Sequence, residues 1–454
     1  RQVKSEGIRI KDYSRERVLG GASTTWSGLA SPLDPIDFQS RPFLRHSGWP
    51  ISREDLLPYY EKATQDYGFA SLKLFGADGF NEVKVGNDQE FTWTDLEEKT
   101  FLAAANPQNF GRMFRSMFSH SESGIDLYLD ATLIRLERDD AASRIARGVV
   151  CTSTGHRVTV EAAVFVVATG GIENARILLN SRDSCPQGLG NEHDQVGRYF
   201  MNHPKDPYGL IHLKKPLHEL PYYFGCLFQG YAGYGGIRLK ESVQLEQHCL
   251  NTYVRFEPLF PWSDNRGVES LIFLVKRSAL LLERWKARAK ERIVSLRDYA
   301  ETGDDTELQN DRKTWWDWIG LFGAIIANFP MVLRYVMARL REGAHPAIHV
   351  IRMRNFMEME PDPDNRVVLS DEKDVYGQAM PSVYHQTTEL DRNSLITLHQ
   401  ALATEVRQMG LGELSSALAS CDPWPITYDA SHHLGTTRMG IDPATSVVTP
   451  DCRL

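Results

Sequence analysis

The chain has 454 residues, 42% of them hydrophobic and 24% charged, with a formal net charge of −8 at pH 7. That length can bury a large core and suggests two or more domains, while the acidic balance argues against a nucleic-acid partner, which requires a concentrated basic face. The six cysteines (Cys151, Cys185, Cys226, Cys249, Cys421 and Cys452) contain no C-x-x-C pair, so their spacing indicates isolated thiols rather than a zinc site or a disulfide framework.

The opening hundred residues alternate turns with short helical stretches. They contain Leu19-Gly20-Gly21-Ala22-Ser23-Thr24-Thr25-Trp26-Ser27-Gly28. Paired glycines followed by small hydroxyl residues let a backbone approach a flat ring or a phosphate with N–H donors free, and Trp26 could wall such a ligand. A plain turn has the same composition, so this loop alone does not decide. Ser52 followed by Asp55 starts a helix in which Leu56, Leu57, Tyr60 and Ala63 recur at helical spacing.

From Ile125 the pattern changes to period two, through Leu127 and Leu129 and later Val158 and Val160, which predicts a small antiparallel meander. Val164 to Ala168 is a continuous apolar run suited to a strand covered on both faces. Gly170-Gly171 then turns into a helix over Ile172 to Leu179. Strand, glycine pair and helix start are the geometry in which a dinucleotide packs at the edge of a parallel sheet, although a G-x-G-x-x-G is absent. An ordinary strand–turn–helix remains the equal alternative.

Aromatic residues and prolines become frequent from about residue 203 to 420. Leu280 to Ile293 is a basic helical block whose commoner explanation is a solvated face rather than a membrane contact. The apolar stretch from Trp315 to Val336, interrupted by Asp317, Asn328 and Pro330, predicts a buried or lid-forming helix pair. Ile348 to Met359 is expected to be a long strand. Met359 to Leu369 contains a turn between strands, and Leu395 to Met409 an amphipathic helix closed by Gly410.

Ser431-His432-His433-Leu434-Gly435-Thr436-Thr437-Arg438-Met439-Gly440 completes the candidate chemistry. Imidazole titrates near neutrality, so paired histidines before a glycine-punctuated loop are candidates for proton transfer. A metal site is not expected, because no carboxylate or cysteine is read at ligand spacing.

In order along nearly the whole chain, the loop at Gly20–Gly28, Ser47-Gly48-Trp49-Pro50, "ATGGIENARILL", "PDPDNRVVLS" and "HHLGTTRMG" resemble the glucose–methanol–choline (GMC) oxidoreductases. The likeness is to the pyranose-oxidase-like and sugar-dehydrogenase branch. It implies an α/β (α+β) fold: an FAD-binding doubly wound sheet with a β-meander, plus a substrate domain on a large antiparallel sheet with helices. The implied divisions are 1–60 for part of the FAD domain, 61–110 for a connecting segment, and 111–202 for the FAD domain again. Residues 203–420 form the substrate domain, and 421–454 return to the FAD domain with the catalytic histidine. Residue 1 is not Met and the last residues follow a strand-like stretch, so both ends of the family pattern, including its second catalytic residue, are expected to lie outside this sequence.

By the same resemblance His432, rather than His433, is the general base on a substrate hydroxyl, because its spacing to Gly435-Thr436 matches; His433 falls at a variable position and is read as a packing or supporting residue. Gly20, Gly21, Ala22, Ser23, Thr24, Thr25, Trp26 and Ser27 approach the flavin, with Ser27 near its reactive edge. Ala168, Gly170, Gly171 and Asn174 line the adenosine side. Thr25 stands where some relatives carry a flavin-linked histidine, which implies non-covalent FAD. Arg438 is read as structural. The expected reaction is oxidation of a secondary hydroxyl of a sugar or glycoside, with oxygen, a quinone or a cytochrome subunit as acceptor. A homo-oligomer or a small partner subunit is compatible with it, in either the cytoplasm or the periplasm. The alternative is a non-catalytic truncated paralogue or scaffold subunit of the same fold; a nicotinamide dehydrogenase lacks its glycine fingerprint.

Overall fold

A computed structural model describes residues 3–11, 14–84, 91–104, 108–119, 123–139, 144–283, 315–343 and 346–454. Strands β1 (Lys4–Glu6), β2 (Leu29–Ala30) and β3 (Leu96–Ala104) come first, followed by β4 (Ala131–Asp139), β5 (Arg144–Thr152) and β6 (Arg157–Glu161). The middle of the chain supplies β7 (Lys205–Leu217), β8 (Cys226–Phe228), β9 (Tyr231–Leu239), β10 (Tyr253–Leu259) and β11 (Ile348–Phe356). Then follow β12 (Arg366–Lys373), β13 (Ala379–Tyr384) and β14 (Gly412–Ser415).

The fold is mixed α/β, with a large antiparallel sheet backed by helices. That sheet runs β14-β7-β11-β10-β9-β3-β2, with β8 added on β9. Alternation along its strands gives it two unlike faces. Val254 and Phe256 of β10, Ile237 and Leu239 of β9, and Ile351 and Met353 of β11 join the main apolar core. The helix Glu389–Gln408 closes that core with Leu395, Leu398, Leu402 and Val406. The intervening residues, among them Tyr253, Arg255, Glu257 and Arg354, occupy the opposite face, and the candidate site lies there.

The helix Glu389–Gln408 begins about two turns before the predicted Leu395. Thr388 caps it: the Asp391 N–H donates to Thr388 Oγ1 at 3.2 Å, and the Thr388 N–H to Asp391 Oδ2 at 2.8 Å. The helix Arg53–Tyr67 begins at the predicted Ser52–Asp55 box.

A second core forms where the helix Gly171–Asn180 lays Ile172, Ala175, Leu178 and Leu179 against Leu136 of β4, Val367 of β12 and Val383 of β13. β4-β5-β6 is the antiparallel meander. It starts at Ala131; Ile125, Leu127 and Leu129 precede it as exposed, irregular chain. In the remaining sheet, β1-β13-β12, β1 pairs parallel with β13.

Two further expectations are corrected. Val164–Ala168 is not a strand: no described strand pairs with it, and Val164 and Val166 are 77% and 85% exposed. Apolar content favours a strand only where neighbours supply hydrogen bonds and cover. The predicted buried or lid-forming helix pair forms as Trp315–Ala327 and Phe329–Glu342, bent by 82° at Asn328, and it is the buried alternative that fails. Val332 and Ala324 are buried, but Ile319, Phe322, Ile326, Phe329, Leu333 and Leu340 are exposed. The stretch is apolar on both faces, so packing one of them leaves the other uncovered. Among the described residues no single helix is long and apolar enough to cross a membrane. The basic block at Leu280–Ile293 lies largely outside the described residues.

Candidate active site

The loop at Gly20–Gly28 is a closed turn. Positive φ at Gly20, Gly21 and Gly28, of 97°, 53° and 71°, lets the backbone fold over itself. Ser23 Oγ donates to Gly20 O at 2.6 Å and Thr24 Oγ1 to Gly21 O at 2.8 Å. Thr25 Oγ1 donates to Ala22 O at 3.3 Å. These hydroxyl protons therefore shape the loop, and Ser27 Oγ likewise accepts from the Leu29 N–H at 3.4 Å. Trp26 does not stand as an open wall; its Nε1 donates to Gln108 O at 2.7 Å and its ring packs against Phe69 and Phe110.

The glycine pair at 170–171 meets the histidine segment directly. A Cβ on Gly171 would stand 2.7 Å from His433 O, and Thr436 Oγ1 donates to Gly171 O. Asn174 turns inward, accepting from the Thr169 N–H at 2.8 Å and from Thr169 Oγ1 at 2.6 Å. It fixes the turn after Ala168. Arg15 and Arg17 reach Glu173 at 2.6 and 3.1 Å, which ties the approach to the Gly20 loop to the same helix start.

His432 is exposed, and its Nδ1 shares a hydrogen bond with His203 Nε2, the ring centroids 4.4 Å apart. His203 stacks in turn on Phe356 at 5.8 Å. Burial, and then the His432 charge, hold His203 well below the usual imidazole range. Burial, and then the Lys205 ammonium, bring His432 down to about 4. His432 is therefore neutral at pH 7.

Asn202 and Asp429 hold the backbone beneath this pair. Asn202 Oδ1 accepts from the N–H groups of His203 at 2.9 Å and His432 at 3.3 Å, and its Nδ2 donates to Asp429 Oδ1. Asp429 Oδ1 also accepts from the Ser431 N–H at 2.6 Å and lies 3.4 Å from His433 Nε2. Burial alone would raise the Asp429 carboxyl; His433 and these donors hold it far below the usual carboxylate range. The expectation that no carboxylate stands at ligand spacing is therefore corrected, since Asp429 is four residues before His433. Among the described residues, however, no group of three or more His, Cys, Asp or Glu side chains could hold a metal ion.

His203, Asn202 and Asp429 escaped the sequence reading because nothing local marks them; their only cue is the motif they fold against. Arg438 is structural as expected, donating to His46 O at 3.0 Å and Thr445 O at 2.7 Å.

Residues 361–454 match the model of the GMC oxidoreductase family. The chain is 27% identical over 222 residues to a 2-methyl-1,2-propanediol dehydrogenase of Mycolicibacterium austroafricanum, covering 41% of this chain and 40% of that protein. It is 25% identical to the fructose dehydrogenase large subunit of Gluconobacter japonicus, over 96% of this chain and 73% of that one. The chain thus spans under half the length of the diol dehydrogenase. Among solved structures, a formate oxidase of Aspergillus oryzae aligns over 98% of this chain and 80% of its own, at 13% identity and a TM-score of 0.44.

Proposed function

We propose, for a chain related to the GMC oxidoreductases and matching their family model over residues 361–454, that it oxidises an alcohol carbon of a sugar or other polyol with His432 as the base. The observation that carries this reading is the His203–His432 pair: a neutral imidazole at an open edge, with Nδ1 engaged and Nε2 left to accept a proton. In this reading His203 Nε2 is the acceptor of the shared hydrogen bond, which places the proton on His432 Nδ1 and the lone pair on Nε2. Asn202 and Asp429 hold the backbone that carries both rings.

Two stretches of open backbone would accommodate FAD, and Thr25 in place of a linking histidine supports non-covalent binding. Gly21 and Gly170, with φ of +53° and +88°, have no atom within 4 Å of where a Cβ would stand, so both leave room for a flat ligand against the backbone. When bound, FAD supplies the acceptor for the hydride that leaves the carbinol carbon. The first residues to touch it would be those of the Gly20–Gly28 loop and the Gly170–Gly171 turn.

In FAD-loaded protein, His432→Ala should slow anaerobic flavin reduction about a hundredfold, the usual share of a general base, with flavin content retained. Unchanged rapid-mixing rates would remove His432 from this role. A protein that takes up no flavin would favour the non-catalytic scaffold.

A further inference from the structure

The sheet face that carries the His203–His432 pair is unusually rich in cations. Cross-strand register puts Arg255 of β10 opposite Arg354 of β11, and Lys205 of β7 opposite Phe356 of β11. Residues directly opposite share a face. The row Phe101, Tyr253, Phe356, His203 stacks at centroid distances of 4.6, 4.6 and 5.8 Å and leads across the sheet to His432. Lys205 is two residues from His203 on this same face.

Three arginines converge on one carboxylate there. Arg354 Nε meets Glu257 Oε1 at 2.6 Å, Arg352 Nη2 meets Glu257 Oε2 at 3.2 Å, and Arg255 Nη2 also pairs with Glu257 Oε1. Arg352 has Asp264 as a second partner. Arg255 is 1% exposed, lies 5.1 Å from the Tyr234 ring centroid, and keeps Nε and Nη1 buried without a hydrogen-bond partner. Lys205 has no carboxylate partner among the described residues; its Nζ lies 6.0 Å from the Tyr428 ring, which Lys11 Nζ approaches to 3.9 Å.

Three arginines thus share Glu257 and Asp264, whereas Lys205, next to the histidine pair, forms no ion pair and feels Asp429 only at longer range. A half-buried ammonium with no carboxylate in contact is partly desolvated, and a ligand carboxylate would pair with it. We propose that the substrate is a hydroxy acid whose carboxylate sits on Lys205, with Arg354 and Arg255 behind it, while its CH–OH carbon faces His432. A single unmatched cation at the front of the cluster suits one negative charge, which favours a carboxylate over a phosphate dianion. Burial, and then the charges of Lys11 and Arg354, bring Lys205 down to about 8, against the opposing pull of Asp429. A bound carboxylate would act against that lowering.

The inference rests on the proposed alcohol oxidation but fails separately from it. FAD-loaded protein would be offered D-gluconate against D-glucitol and L-lactate against 1,2-propanediol, pairs that exchange a carboxylate for CH2OH. Flavin reduction would be followed by rapid mixing and binding by calorimetry. At least one acid should bind and reduce the flavin about tenfold or more faster than its neutral partner at low salt, the order of one charge-assisted hydrogen bond. Lys205→Met should lower that acid-to-neutral ratio at least tenfold, and Lys205→Arg should restore part of it.

Neutral compounds reacting as well as the acids, an unchanged ratio in Lys205→Met, or no binding of either acid would overturn the proposal. If the acids bind but nothing reduces the flavin, the anion site stands and the oxidoreductase reading falls.

Discussion

In the proposed reaction the two ring nitrogens of His432 have different tasks, and the hydrogen bond to His203 would separate them. A base must present a lone pair in a fixed direction, and the hydrogen bond at the far nitrogen sets which one carries the proton. His203→Phe keeps the ring stacked on Phe356 but removes the acceptor. It should slow flavin reduction about tenfold, in line with one lost orienting hydrogen bond, while His203→Gln retains more of the rate. Equal rates in wild type and His203→Phe would show that His432 orients itself. His432 could be picked out from sequence because its motif is contiguous. His203 and Asp429 could not, because their roles come from pairing across 229 and 227 residues, with His432 and Asn202 respectively.

Among the elements, β10 and β11 show how one strand serves two purposes. Their inward residues, Val254, Phe256, Ile351 and Met353, belong to the core; their outward residues make the arginine–glutamate cluster. Burial alone would raise the Glu257 carboxyl, but Arg255 and Arg354 outweigh it and lower it to about 2. A depressed carboxylate stabilises the fold above its unfolded-state pKa, near 4.5, and that contribution is lost as pH falls toward 2. Glu257→Gln leaves the arginines without their counter-charge and should cost about 3 kcal/mol at neutral pH. Urea unfolding of wild type and variant should therefore converge as pH drops from about 4.5 toward 2; a pH-independent gap would show that the carboxylate charge is not the cause. The alternation of these strands was readable, but which polar residues would meet was not, because register is set between strands.

For the whole molecule, the first fifty residues fasten the parts together. β1 joins the small sheet beside β13, while β2 edges the large sheet against β3. After β2, Arg41 clasps Glu358 with both guanidinium ends, at 3.0 and 2.7 Å. Asp34 binds Lys99, Arg238 and Asn251 on the large sheet and the helix-flanking loop. Arg41→Met should lower stability by about 2 kcal/mol, a buried-pair cost discounted for the partial exposure of Glu358. Thermal unfolding would check it, and adding Glu358→Gln should recover part of the loss. If Arg41→Met melted as wild type, this clasp would not be a fastening.

The sequence alone determined what depends on neighbours along the chain. The capping box at Ser52, the helix after Gly171, the meander's alternation and the histidine loop are all local patterns with local physics. Only the tertiary structure decided what depends on partners far away. Val164–Ala168 had a strand's composition but no paired neighbour. The Trp315–Glu342 helices were apolar enough to bury but had one face too many. The partner that would direct His432 in its proposed role, His203, lies 229 residues away, and Lys205 became conspicuous only once the cross-strand arginines had paired with Glu257 and Asp264. Hydrogen bonding within a segment is encoded by that segment, whereas pairing, cover and charge balance are properties of what the fold brings beside it.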